Sequence, residues 1–163
     1  DATAANQVDS HPRMKHRFGP YYYTWATVKS FYAQYMRDPV RLSVETPNGS
    51  SEGVTAICQN STPYSYFRGR ELHVCEGVEL DSRSLSLAVL RRATQRVVDR
   101  RPPPGPHRHI DHFQGIDGAR IESASRDSSG AWRSFPVQVD GDYIGLHTEL
   151  ELKLDPAALN VIA

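Results

Sequence analysis

The stretch DPVRLSVETPNGSSEGVTAICQN, residues 38–60, decides the fold, because the period of its apolar residues breaks with what precedes it. Upstream, Tyr21, Trp25, Val28, Tyr32 and Tyr35 recur at alternating intervals of four and three, which places them on one face of a helix. Gly19-Pro20 starts that helix, since proline is preorganised for a first turn and its missing N–H costs nothing there. Asp38-Pro39 ends it, because a residue before proline avoids the helical region. The spacing therefore predicts a helix over 20–37 whose aromatic stripe is a core face. After Pro39 the period is two. Val40, Leu42 and Val44 alternate with Arg41, Ser43 and Glu45. Pro47-Asn48-Gly49-Ser50 is turn chemistry, since Asn and Gly accept positive φ, and Val54, Ala56 and Cys58 then alternate again. The reading is a hairpin between the Val40 and Val54 runs.

Working outward, Asn60 to Gly69 reads as a polar and aromatic loop. Leu72 and Val74, then Leu85, Leu87 and Val89, continue the strand alternation. Residues 91–99 suit a short helix, and Pro102-Pro103-Pro104-Gly105-Pro106 makes 100–109 a loop, because proline removes backbone donors. Ala119, Ile121 and Ala124, then Phe135, Val137 and Val139, then Leu150, Leu152 and Leu154, are further strand-like runs. Ser128-Ser129-Gly130 and Asp140-Gly141-Asp142 punctuate them. Many short strands with regular turns predict a mostly β chain, a two-layer β-sandwich with one or two helices, occupying 1–163 as one domain.

The 163 residues carry 19 Lys plus Arg and 19 Asp plus Glu, for zero formal charge. That balance argues against a nucleic-acid partner and offers no polybasic membrane patch. Cys58 and Cys75 read as buried free thiols. No apolar run approaches the roughly 20 residues of a membrane span, and no signal peptide opens the chain. The opening Asp1-Ala2-Thr3-Ala4 lacks a starting Met, so we expect a processed chain or a piece of a longer one.

Among candidate sites, the phosphate-cradling Gly-rich loops are missing, so a nucleotide would have to be bound elsewhere. His107, His109 and His112 with Asp111 read as a solvated loop rather than a zinc signature, although a His-loop metal module is a third alternative. Asp140-Gly141-Asp142 reads first as a hairpin turn. Its two carboxylates beside a glycine also suit metal binding or proton acceptance. Glu79-Leu80-Asp81-Ser82 places carboxylates in a turn between strands.

Several segments occur in a telling order. Phe18-Gly19-Pro20-Tyr21-Tyr22-Tyr23 comes first, then the Val40–Asn60 hairpin, then Asn60-Ser61-Thr62-Pro63-Tyr64 leading to Gly69. Leu80-Asp81-Ser82-Arg83-Ser84-Leu85 follows, then Gln138-Val139-Asp140-Gly141-Asp142, and last Leu154-Asp155-Pro156 with its apolar tail. This succession resembles the C-terminal domain of the bacterial diacylglycerol kinase and sphingosine kinase-like lipid kinases. The resemblance implies a C-terminal β-sandwich that receives the lipid, with a separate N-terminal domain binding ATP that this chain lacks. It implies phosphorylation of a hydroxyl on diacylglycerol, a sphingoid base or a related lipid, with Mg²⁺ and ATP. Asp140 matches the family's base and Asp142 its supporting acid, here Asp where the family has Glu. Asp81 matches part of a cation-binding turn, but Ser82 and Arg83 remove one acid and add a positive charge. Asn60, Tyr64 and Gly69 would line the lipid cleft. The expected setting is cytoplasmic, at the inner face of a membrane with peripheral contact. The alternative is a non-enzymatic lipid- or ligand-binding sandwich that has lost catalysis.

Overall fold

A computed structural model of the chain describes residues 38–67, 70–75, 77–79, 81–92, 109–140 and 142–156. The predicted helix over 20–37, the 91–99 helix beyond Arg92, the proline loop up to residue 108, and Gly69, His107 and Gly141 lie outside the described residues.

The fold is mostly β, with no helix among the described residues. Eleven strands run in chain order: β1 (Leu42–Thr46), β2 (Gly49–Gly53), β3 (Thr55–Gln59), β4 (Ser65–Phe67), β5 (Arg70–Leu72), β6 (Leu85–Leu90), β7 (Ile110–Ile116), β8 (Gly118–Ser123), β9 (Phe135–Val139), β10 (Asp142–His147) and β11 (Glu149–Lys153). They form sheets of order β11-β8-β1-β2, β3-β6-β7, β10-β9 and β4-β5. The β1–β2, β3–β6, β6–β7, β4–β5, β9–β10 and β8–β11 pairs are all antiparallel, a β-sandwich-like arrangement.

The chain divides into two compact units. One comprises residues 41–122 and 149–163, the other residues 1–40 and 123–148.

In the larger unit, the Leu42/Val44 alternation produces β1, with both side chains buried. Its partner differs from the sequence reading. The hairpin closes at Pro47-Asn48 onto β2, with Leu42 opposite Gly53 and Thr46 opposite Gly49. The apolar run Val54–Cys58 instead crosses to the second sheet, where Thr55–Gln59 pairs with Leu90–Ser86. β2, with sequence GSSEG, carries no large apolar side chain, so period-two patterning passes over it. The corner is tight. A Cβ on Gly53 would sit 2.5 Å from Cγ1 of Val89 and 2.6 Å from the Leu90 carbonyl oxygen, so only glycine lets β2 pass this close to β6. The Val54 amide donates to that same oxygen at 2.8 Å.

β6 is the central strand of its sheet, and Leu85, Ser86, Leu87, Ala88 and Val89 are all buried. Burial on both faces explains small Ser86 and Ala88 between large apolar neighbours. Val44, Leu87, Val89 and Ile116 are at most 1% exposed and form the centre of this core. Burying each such side chain stabilises by about 1.5–3 kcal/mol. The region read as a loop from Asn60 to Gly69 contains β4, which pairs with β5. Val74, read as strand, lies in a bend beyond β5.

Candidate functional site

The Asp140 segment is built by β9 and β10. Phe135 and Val137 alternate inward and are buried, which fixes the face of β9. Asp142 pairs with Val139, leaving a two-residue connection of Asp140 and Gly141. Asp140 has φ +49°, the left-handed conformation that primed hairpin turns require and that Asp tolerates. Asp140 therefore sits in a turn, as expected from the sequence. It holds the Asp140 and Asp142 side chains exposed, one residue apart around Gly141. A register shift between Tyr143 and Gly145 then bends β10, and Gly145 takes φ +121°. Bulges of this kind re-aim side chains near functional sites.

The same unit holds a hydrogen-bonded turn at residues 126–132. Asp127 Oδ1 accepts from the Ser129 amide at 2.8 Å, the Ser129 hydroxyl at 2.6 Å and the Ala131 amide at 3.0 Å. Hydrogen bonds from Ser129 and from the backbone hold the Asp127 carboxyl below its usual pKa. Arg126 stacks over the Trp132 ring at 3.7 Å from its centroid and donates to the Gly130 carbonyl. Arg133 grips Asp38 through its carboxylate at 2.8 Å and its carbonyl at 3.0 Å.

The other segments singled out from the sequence belong to the larger unit. Thr62, Gly77, Val78, Glu79, Asp81 and Ser82 line an open cleft of about 470 Å³. Thr62 and the Glu79–Ser82 turn thus share one cleft, whose described lining includes neither Asn60 nor Tyr64. The turn is closed by the Ser82 amide and hydroxyl, which donate to the Glu79 carbonyl at 3.0 and 2.7 Å. Arg83 leaves it with φ +50°. Asp81 is exposed on the cleft beside Glu79. Among the described residues no three His, Cys, Asp or Glu side chains come together, as a protein-built cation cage would need. Asp140 and Asp142 belong to the other unit.

Gln59 links Cys75 to the Ser61 segment, and no sequence pattern singles Gln59 out. Gln59 is buried at the end of β3. Its Oε1 accepts from the Cys75 amide at 2.8 Å, and its Nε2 donates to the Ser61 carbonyl at 3.2 Å. One amide thereby ties two loops to a strand. Both cysteines are free; Cys75 is buried, whereas Cys58 is half-buried. Burial, then the neighbouring Cys58, pushes the Cys75 thiol up to about 12. Burial also raises Cys58. Tyr64, 36% exposed, has its phenol raised by burial first and by Cys75 second. Asn60 is exposed. His109 immediately precedes β7 and His112 lies within it, opposite Ala88, rather than in a free loop. Asp111 between them accepts from the Ser51 hydroxyl at 2.6 Å and lies 3.7 Å from Arg91.

No family model matches the chain, and no curated protein matches it in sequence. A solved chain from Bacillus anthracis str. Sterne, provisionally described as a diacylglycerol kinase, superposes with a TM-score of 0.54 at 13% identity.

The chain shares the fold of part of that protein.

The likeness covers 83% of this chain and 43% of that one, so the chain spans less than half of its structural neighbour. At this identity the relation is one of fold, and roles rest on the residues themselves.

Proposed function

We propose that the chain is the lipid-accepting part of an ATP-dependent kinase that phosphorylates a hydroxyl on diacylglycerol, a sphingoid base or a related lipid. The observation that carries this reading is the fold likeness across 83% of the chain, and the chain's own β9–β10 hairpin presents two exposed carboxylates. In this reading the Asp140 carboxylate accepts the proton of the lipid hydroxyl as its oxygen attacks the terminal phosphoryl group of ATP. The P–O bond to ADP breaks, and a phosphate ester forms. Such transfer depends on positioning and charge neutralisation more than on covalent help from the protein. Exposure of Asp140 on a tight turn suits it to meet a substrate held partly by another surface.

Mg²⁺ is the ion whose chemistry fits. It is commonly held by one or two carboxylates plus substrate phosphates, and it neutralises developing charge. Asp142 would supply such a carboxylate, with a shorter reach than Glu. ATP would be held mainly by a nucleotide-binding half, and the lipid would be met at the cytoplasmic face of a membrane by peripheral contact.

A second reading is a lipid- or ligand-binding module without catalysis. Ser82 and Arg83 beside Asp81 favour it, because one acid is replaced and a positive charge introduced at the cleft-side turn. The deciding experiment is transfer of labelled γ-phosphate from ATP to short-chain lipid alcohols by the polypeptide as the cell makes it. Labelled phospholipid is the expected product. Saturable lipid binding without transfer would establish the second reading instead.

A further inference from the structure

The side-chain carbonyl oxygen of Gln138 is buried and accepts no hydrogen bond. Buried acceptors without a donor are destabilising and rare, so each one calls for a physical reason. Its position supplies one. Gln138 lies on β9, where alternation sets it on the face opposite buried Phe135 and Val137, and two residues later the chain reaches Asp140 in the left-handed turn that follows the strand. Two residues of chain keep their backbones within roughly 7 Å of each other, about the width of a small polar head group. The ladder sets Gln138 opposite Tyr143, at the register shift that bends β10. The residue as a whole is half-buried, although that oxygen is not exposed. The terminal torsion of glutamine is broad, and the carbonyl can turn toward a donor arriving at Asp140 without moving β9.

We propose that Gln138 is a positioning residue that accepts a hydrogen bond from a second donor on the substrate, a hydroxyl or ammonium adjacent to the hydroxyl that is phosphorylated. The inference rests on the kinase reading and narrows its substrate class. Head groups with two neighbouring donors, as in a monoacylglycerol or a sphingoid base, satisfy the acceptor. A diacylglycerol, whose neighbouring oxygen is esterified, leaves it unpaired. Sites that pair a polar group with a substrate hydroxyl discriminate strongly against the analogue lacking it.

The test uses matched pairs that differ by one donor. The decanoyl monoester of glycerol is compared with that of 1,3-propanediol, and 2-aminodecan-1-ol with decan-1-ol. Phosphorylation by the polypeptide as the cell makes it gives kcat/KM for each, and calorimetry gives Kd for the same compounds. One hydrogen bond to a desolvated group predicts a preference on the order of tenfold for the donor-bearing member. The pair with the larger ratio tells hydroxyl from ammonium. Gln138→Met, similar in size but without an acceptor, brings that ratio to about one. Gln138→Glu, which keeps an acceptor oxygen, restores it. Melting curves confirm that both variants fold. A ratio near one in the unaltered protein, or a tenfold ratio that survives Gln138→Met, overturns the inference. Donor-dependent binding that tracks Gln138, without any phosphorylation, would sink the kinase reading and leave Gln138 as a recognition residue. Absence of both binding and turnover overturns both.

Discussion

Replacing Gly53 with alanine forces a methyl into the corner where β2 passes β6. The new Cβ would lie 2.5 Å from Cγ1 of Val89, 2.6 Å from the Leu90 carbonyl oxygen and 3.1 Å from its carbonyl carbon. Carbon contacts are comfortable near 3.5–4.0 Å, so the overlap with Val89 is about 1 Å. Val89 is fully buried and cannot swing away. The Leu90 oxygen is held by the Val54 amide at 2.8 Å, so moving it weakens that bond. Overpacking costs about 1–3 kcal/mol and a lost hydrogen bond about 1 more, which gives about 3 kcal/mol in all. For a chain of this length each kcal/mol lowers the melting temperature by about 2–4 °C, so Gly53→Ala should melt about 9 °C lower. Thermal unfolding followed by circular dichroism reads this directly. Glu52→Ala, on the same strand but exposed, is the control and should shift by no more than about 3 °C. A Gly53→Ala variant melting within about 2 °C of the parent would refute the close approach of the two sheets.

Other expected outcomes concern the polar framework. Gln59→Leu leaves the Cys75 amide without its acceptor inside the core and should cost about 1–3 kcal/mol in urea denaturation. Because the Cys75 thiol is raised in the folded chain to about 12 from 9.0, the folded state holds its proton more tightly. Stability should therefore be fully present below about pH 8.5–9 and fall as pH rises toward 12, with a shallower fall in Cys75→Ala. Asp127 titrates the other way. Its depressed carboxyl supports the turn above the ordinary pKa of 3.8, and the support is lost as pH falls through the folded value. Amide exchange at Ser129 and Ala131 should accelerate in Asp127→Ala at neutral pH and change little below that range. Calorimetry of the chain alone with Mg-ATP should give no micromolar isotherm, since no phosphate-cradling loop is present in the sequence; a clear one would contradict the need for a separate nucleotide-binding half.

The strands that alternate cleanly were legible in the sequence. Leu42/Val44, Leu85/Leu87/Val89, Ala119/Ile121, Phe135/Val137 and Leu150/Leu152 all lie in strands close to where their period places them. Partnership was not legible. β2 has no large apolar side chain, so the hairpin was matched to the next apolar run, whose true partner β6 lies some 30 residues away. β10 was missed because Ile144 and Leu146 point to solvent and its bulge breaks the period. At the site, Asp140-Gly141 announced its turn through the positive φ that such turns require. Gln59 and Gln138 did not announce themselves, because a polar side chain buried by packing has no sequence period. Thr62 and the Glu79–Ser82 turn share a cleft through long-range folding alone.

The claim that Asp140 is the proton acceptor is tested most directly by turnover of Asp140→Asn. The substitution keeps size and hydrogen bonding while removing basicity and charge, and the position is an exposed turn, so folding should be preserved. The measurement is transfer of phosphate from Mg-ATP to lipid alcohol by the polypeptide as the cell makes it, with a melting curve on the same sample. Loss of general-base help predicts a fall in kcat on the order of 10²–10⁴-fold at unchanged melting temperature. Near-normal turnover by folded Asp140→Asn would make Asp140 a turn residue only and contradict the account.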